Sequence, residues 1–101
     1  MSLWRRPFAD LVRRQLDFFG RDEAALLEEA RMAEAGWQRA GLDEAEEAYG
    51  DWQLVADTIS DLLLNLRETY VATVDAEADA YRRAFDKAAS KRFPRLTTFL
   101  A

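Results

Sequence analysis

The sequence predicts an all-α fold, a four-helix antiparallel bundle with one long central helix, paired with a second copy of itself. Three observations predict it. The 101 residues contain only four glycines and two prolines, so little interrupts a helix. Alanine, leucine, glutamate and arginine dominate while β-branched residues are sparse, a composition with high helix propensity throughout. Apolar residues recur every three to four positions along most of the chain. A chain this short has one economical way to bury its apolar side chains, so residues 1–101 read as a single helical domain. Half of them are hydrophobic, enough to fold without metal or disulfide staples.

The first helix, about 7–19, begins with Pro7 at its N1 position and ends at Gly20. Phe8, Leu11, Val12, Leu16, Phe18 and Phe19 fill one arc, with Asp10, Arg13, Arg14 and Asp17 opposite. The second, about 22–40, takes Asp22 as its cap and Gly41 as its stop. Leu26, Leu27, Ala30, Ala33 and Trp37 share one face. The third, about 43–72, carries the strongest periodicity, from Ala45, Ala48, Tyr49 and Trp52 through Val55, Ile59, Leu62, Leu63 and Leu66 to Tyr70.

Nothing between Trp52 and Lys91 is Gly or Pro, yet the apolar pattern slips near Thr73. "AGLDEAEEAY" from Ala40 aligns with "ATVDAEADAY" from Ala72, and the first copy is a helix start. A break near Thr73 is therefore expected, with Thr73 as N-cap of a fourth helix over about 74–92. Pro94 ends that helix. The tail 94–101, with Leu96, Phe99 and Leu100, is too short to bury itself and must fold back on the bundle or dock into a partner.

A third helix of about 30 residues spans about 45 Å at 1.5 Å per residue, more than twice the first. Its uncovered length needs a neighbour. Leu54, Leu64 and Val71 lie outside its main apolar arc, which points to a symmetric homodimer.

The chain has no His and no Cys. That removes His-assisted nucleophiles, zinc sites with nitrogen and sulfur ligands, and Glu-x-x-His pairs. No phosphate-cradling glycine motif is present. Asp57, Asp61, Asn65 and Glu68 share one helical face suited to an oxygen-ligated metal, but the face lies opposite Trp52, Ile59 and Leu66 and reads as solvated surface. "DAEADAYRRAFD" from Asp75 places acids at calcium-loop positions, with Ala80 where the loop needs glycine. No cofactor and no catalysis are expected. Glu34 borders the apolar stripe of the second helix and is expected to pair with Arg67 or simply to reach solvent, ahead of acting as a catalytic acid. Trp4, Trp37, Tyr49 and Trp52 read as core before they read as a ligand pocket.

Charge is segregated. Residues 1–21 carry five bases and two acids, residues 22–79 three and sixteen, and residues 80–101 six and one, giving +3, -13 and +5 within the net -5. An up-down bundle puts both termini at one end, so Arg5 and Arg6 are expected near Lys91, Arg92 and Arg95. Arg83, Lys87 and Lys91 align at i, i+4 and i+8. With Arg5, Arg6, Leu54, Leu64 and Phe99 they form the expected partner-binding set, suited to a second copy or an acidic protein. Nucleic acid ranks below this, because the acidic middle repels a polyanion. Membrane-surface binding ranks lower still, and no window is apolar enough to span a bilayer.

The expected function is a protein–protein interaction or structural module. A nucleic-acid-associated protein using the basic terminal patch, or a small-molecule-binding bundle around Trp37 and Trp52, are the alternatives. The absence of cysteine and of a targeting signal points to the cytoplasm. Twelve arginines against two lysines suggest a bacterium with a GC-rich genome.

Overall fold

Helix-forming side chains carry the backbone into helix almost without pause. A computed structural model describes residues 8–100, in which α1 (Ala9–Asp22), α2 (Ala24–Arg39), α3 (Ala45–Val74) and α4 (Ala78–Arg92) follow one another, with 3₁₀ turns at Asp75–Glu77 and Thr98–Leu100. The described residues contain no strand. Pro7, proposed as the N1 residue of the first helix, lies outside the described residues.

The first departure from the expected arrangement is at Gly20, which does not end α1. The Glu23 amide donates to Phe19 O at 2.8 Å and the Leu27 amide to Glu23 O at 2.9 Å, so helical hydrogen bonding passes through the junction. Asp22 is the last residue of α1 rather than a cap. Hence α1 and α2 run nearly end to end instead of folding side by side. Glycine tolerates helix at some entropic cost, and here no turn or close approach asks for more.

The α2–α3 connection does reverse the chain. Trp37 stacks on Trp52 at 5.3 Å and meets Tyr49 at 4.8 Å, which pins the two helices antiparallel around a short turn. A second reversal follows α3. Asp75 adopts φ 49°, outside the right-handed region, and the rings of Tyr70 and Tyr81 then meet at 4.8 Å. The expected break is present two residues beyond Thr73. Thr73 itself donates its hydroxyl to Tyr70 O inside α3 and caps nothing. In a continuous helix Tyr70 and Tyr81 would stand about 16 Å apart.

Because α1 and α2 are nearly collinear, α4 runs parallel to α1: Phe8 meets Tyr81 at its start, and Phe19 meets Phe93 at its end. The molecule is therefore a rod, 55 × 22 × 22 Å. Its radius of gyration is 15.9 Å, against about 13 Å for a compact domain of this length. One half holds α1, α4 and the second half of α3; the other holds the α2–α3 hairpin.

The core follows this division. Val12, Leu16, Phe19, Ile59, Leu63, Tyr81, Phe85 and Ala89 are buried together in the thicker half. The Tyr81 hydroxyl donates to Gln15 Oε1 at 2.8 Å, and burial pushes its pKa up to about 12. Gly50 lies in the second turn of α3 with nothing within 4 Å of where a Cβ would sit. Gly50→Ala is therefore expected to raise the unfolding free energy by about 0.5–1 kcal/mol, read from urea melts; a loss of stability would contradict the open surroundings.

The tail folds back on its own chain. Pro94 and Arg95 occupy the two central positions of a turn closed by the Leu96 amide on Phe93 O at 3.0 Å. Arg95 takes φ 68°, the pattern of a type II turn. The Phe99 amide then donates to Ser60 Oγ at 3.1 Å, and Thr98 Oγ1 donates to Asp57 Oδ1 at 3.2 Å. Ser60 is almost fully buried, so the returning backbone satisfies a polar group that would otherwise lack a partner.

Candidate interaction surface

The sequence of α4 sorts its side chains at 100° per residue. Tyr81, Phe85 and Ala89 turn inward and are buried; Arg83, Lys87 and Lys91 turn to water and are exposed. Acid at the start, Asp79, and bases in the last turn, Lys91 and Arg92, is the order the helix macrodipole favours. Other bases of α4 are engaged within the chain. Arg82 reaches Glu68 at 3.0 Å and Arg92 reaches Asp17 at 2.5 Å. The charged ends of Arg83, Lys87 and Lys91 have no ion-pair partner among the described residues.

Beside that stripe lies an apolar groove. Small side chains on both helices, Ala9 on α1 with Ala84 and Ala88 on α4, leave about 190 Å³ open over Val12, with Lys87 and Lys91 on its rim. Apolar floor and cationic rim together suit an apolar side chain carried by an acidic segment.

The opposite end of the rod has the complementary chemistry. Residues 22–59 contain eleven acids and two bases, and the α2–α3 turn exposes Asp43, Glu44, Glu46 and Glu47. Leu42 stands among them 98% exposed. Sequence reasoning missed this residue, although a lone leucine between Gly41 and Asp43, outside both helical arcs, was a readable signal.

The remaining site residues are scattered. Arg5 and Arg6 lie outside the described residues. Leu54 is 70% exposed, whereas Leu64 is half-buried and Val71 packs on the core. Phe99 packs within its own chain, with the Arg67 guanidinium 5.2 Å from its ring centre.

The expected Glu34–Arg67 pair is replaced by two others. Glu34 lies near Trp52 in a small hollow with Pro94 and Leu96, and Arg67 is about 22 Å further along α3 than Trp52. Arg95 pairs with Glu34 instead, meeting its buried Oε2. Arg67 reaches Asp86 at 2.8 Å and Glu68 at 2.9 Å. On the face of Asp57, Asp61, Asn65 and Glu68, the first three are exposed, as a solvated surface should be, while Glu68 is partly buried and paired with Arg67 and Arg82.

Trp37, Tyr49 and Trp52 form one aromatic cluster. Next to it an open depression of about 390 Å³ is lined by Trp37, Arg39, Glu44 and Asp51 among others. Trp52 is buried, as a core residue should be, whereas Trp37 is only partly buried, Tyr49 is exposed and Trp4 lies outside the described residues. Among the described residues no helix is long and apolar enough to cross a membrane. No family model, curated protein or solved structure matches the chain.

Proposed function

We propose that this protein is a non-catalytic interaction module that works in the cytoplasm as a homodimer, with the outer face of α4 as its docking surface. The observation that supports this best is the unpaired basic stripe of Arg83, Lys87 and Lys91 bordering an apolar groove. Surface cations outside any ion pair contribute little to folding. Set beside an apolar groove on an otherwise acidic chain, they supply both the attraction and the buried contact that association needs. The elongated shape adds support, since a rod buries a smaller share of its own surface than a sphere and offers a long side to a neighbour.

Light scattering on the full chain at tens of micromolar tests the reading. At low ionic strength the mass is expected to be twice the 11.6 kDa of one chain. It is expected to fall toward one chain at about 0.5 M salt, where the screening length drops to roughly 4 Å. Lys87→Glu with Lys91→Glu is expected to give a monomer at low salt with an unchanged helical spectrum. A wild-type monomer at every ionic strength would overturn the proposal.

A further inference from the structure

We infer that the groove between α1 and α4 receives the α2–α3 turn of a second copy, Leu42 entering the groove while Asp43 and Glu44 meet Lys87 and Lys91. The inference rests on the self-association proposed above and names the element of the partner that is bound. Leu42 is a branched apolar side chain held 98% in water at the most acidic point of the rod. The groove has an alanine and valine floor, a lysine rim and about 190 Å³ of space, roughly six water volumes. Each surface supplies what the other lacks.

Geometry forbids the contact within one chain. Arg67 pairs with Asp86, so the groove is level with the second half of α3, while Leu42 precedes its first residue. About 33 Å of helix separates the two levels. Two antiparallel rods that overlap over about 33 Å of their 55 Å length bring each turn beside the other's groove. The contact is then made twice about a two-fold axis, which closes the assembly as a dimer. Charge selects the second copy over the chain's own first seven residues, which carry Arg5 and Arg6 and no acid.

The chain has no cysteine, so disulfide trapping is specific. Leu42→Cys chains mixed with Ala88→Cys chains under mild oxidation are expected to form a covalent heterodimer, at least tenfold faster at low salt than at high salt. Ala84→Cys serves as a second groove position should the first variant lose its helical spectrum. The L42C/A88C double variant is expected to stop at a closed dimer. A ladder of higher multimers would overturn the two-fold arrangement, and trapping only between two L42C chains would overturn the pairing. A wild-type dimer by light scattering with no trapping from either groove position would overturn this inference and leave self-association standing; a wild-type monomer would overturn both.

Discussion

Phe85→Ala is expected to lower the free energy of unfolding by about 3–5 kcal/mol, the cost of removing a buried aromatic ring and leaving a cavity. Phe85 is fully buried, its ring 6.0 Å from that of Tyr81, where α4 closes on α1 and α3. In a domain of this size each kcal/mol moves the melting temperature by about 4–8 °C, so the midpoint should fall by at least 12 °C. Thermal and urea melts followed by circular dichroism measure it. Phe18 gives the internal comparison: it is 63% exposed, and Phe18→Ala should stay within about 0.5 kcal/mol of the parent. Equal losses from the two substitutions would show that the core does not lie where α1 and α4 meet.

Arg67→Met is expected to cost about 2–3 kcal/mol. The side chain is only 14% exposed, and truncating it leaves Asp86 without a partner in a partly buried position. Glu68 keeps Arg82, whose Nε and Nη2 donate to it at 3.1 and 3.0 Å, so its loss is partial. This network also sets the acid limb of stability. Hydrogen bonds from Arg82, and after it from Arg67, hold the Glu68 carboxyl at about 2 against an ordinary 4.5, with burial opposing them. A carboxyl depressed in the folded state stabilises fully above its unfolded pKa and loses that contribution as pH falls toward the folded one. Stability should therefore decline between about pH 4.5 and pH 2 through this group. The carboxylate is 40% exposed, so screening leaves about 1 kcal/mol of the nominal shift. In Glu68→Gln that part of the limb should flatten; an unchanged limb in urea titrations would assign it to other acids.

Individual residues show why some of this was legible and some was not. The break after α3 was visible in the slipped periodicity and in the resemblance of residues 72–81 to a helix start, because both are local patterns. Its position moved from Thr73 to Asp75, since the tyrosine pair Tyr70 and Tyr81 sets the register of the hairpin and acts across it. Gly20 misled for the opposite reason. Glycine weakens a helix without forbidding it, and Leu16, Phe19 and Ala30 packing on one core outweighs roughly 1 kcal/mol of propensity. Glu34 was recognised as an acid in need of a partner, but the partner came from the tail, beyond reach of any helical-wheel comparison of α2 with α3. The basic stripe on α4 was read correctly as exposed; the groove beside it was invisible, because it belongs to the space between two helices.

By itself the sequence determined that the chain is helical, that α3 is its long element, which faces are apolar, and that positive charge concentrates in α4. Each of these follows from propensity and from a period of 3.6 residues, quantities that depend on neighbours a few positions away. Only the tertiary structure decided that α1 and α2 lie nearly end to end, that α4 therefore runs parallel to α1, and that the tail returns over Ser60 with Arg95 on Glu34. Those choices depend on which apolar faces meet at long range, and on the dihedral states of Glu23, Asp75 and Arg95. A single residue's backbone angle redirects a whole helix, and nothing in local composition specifies that angle until the packing on either side of it is known.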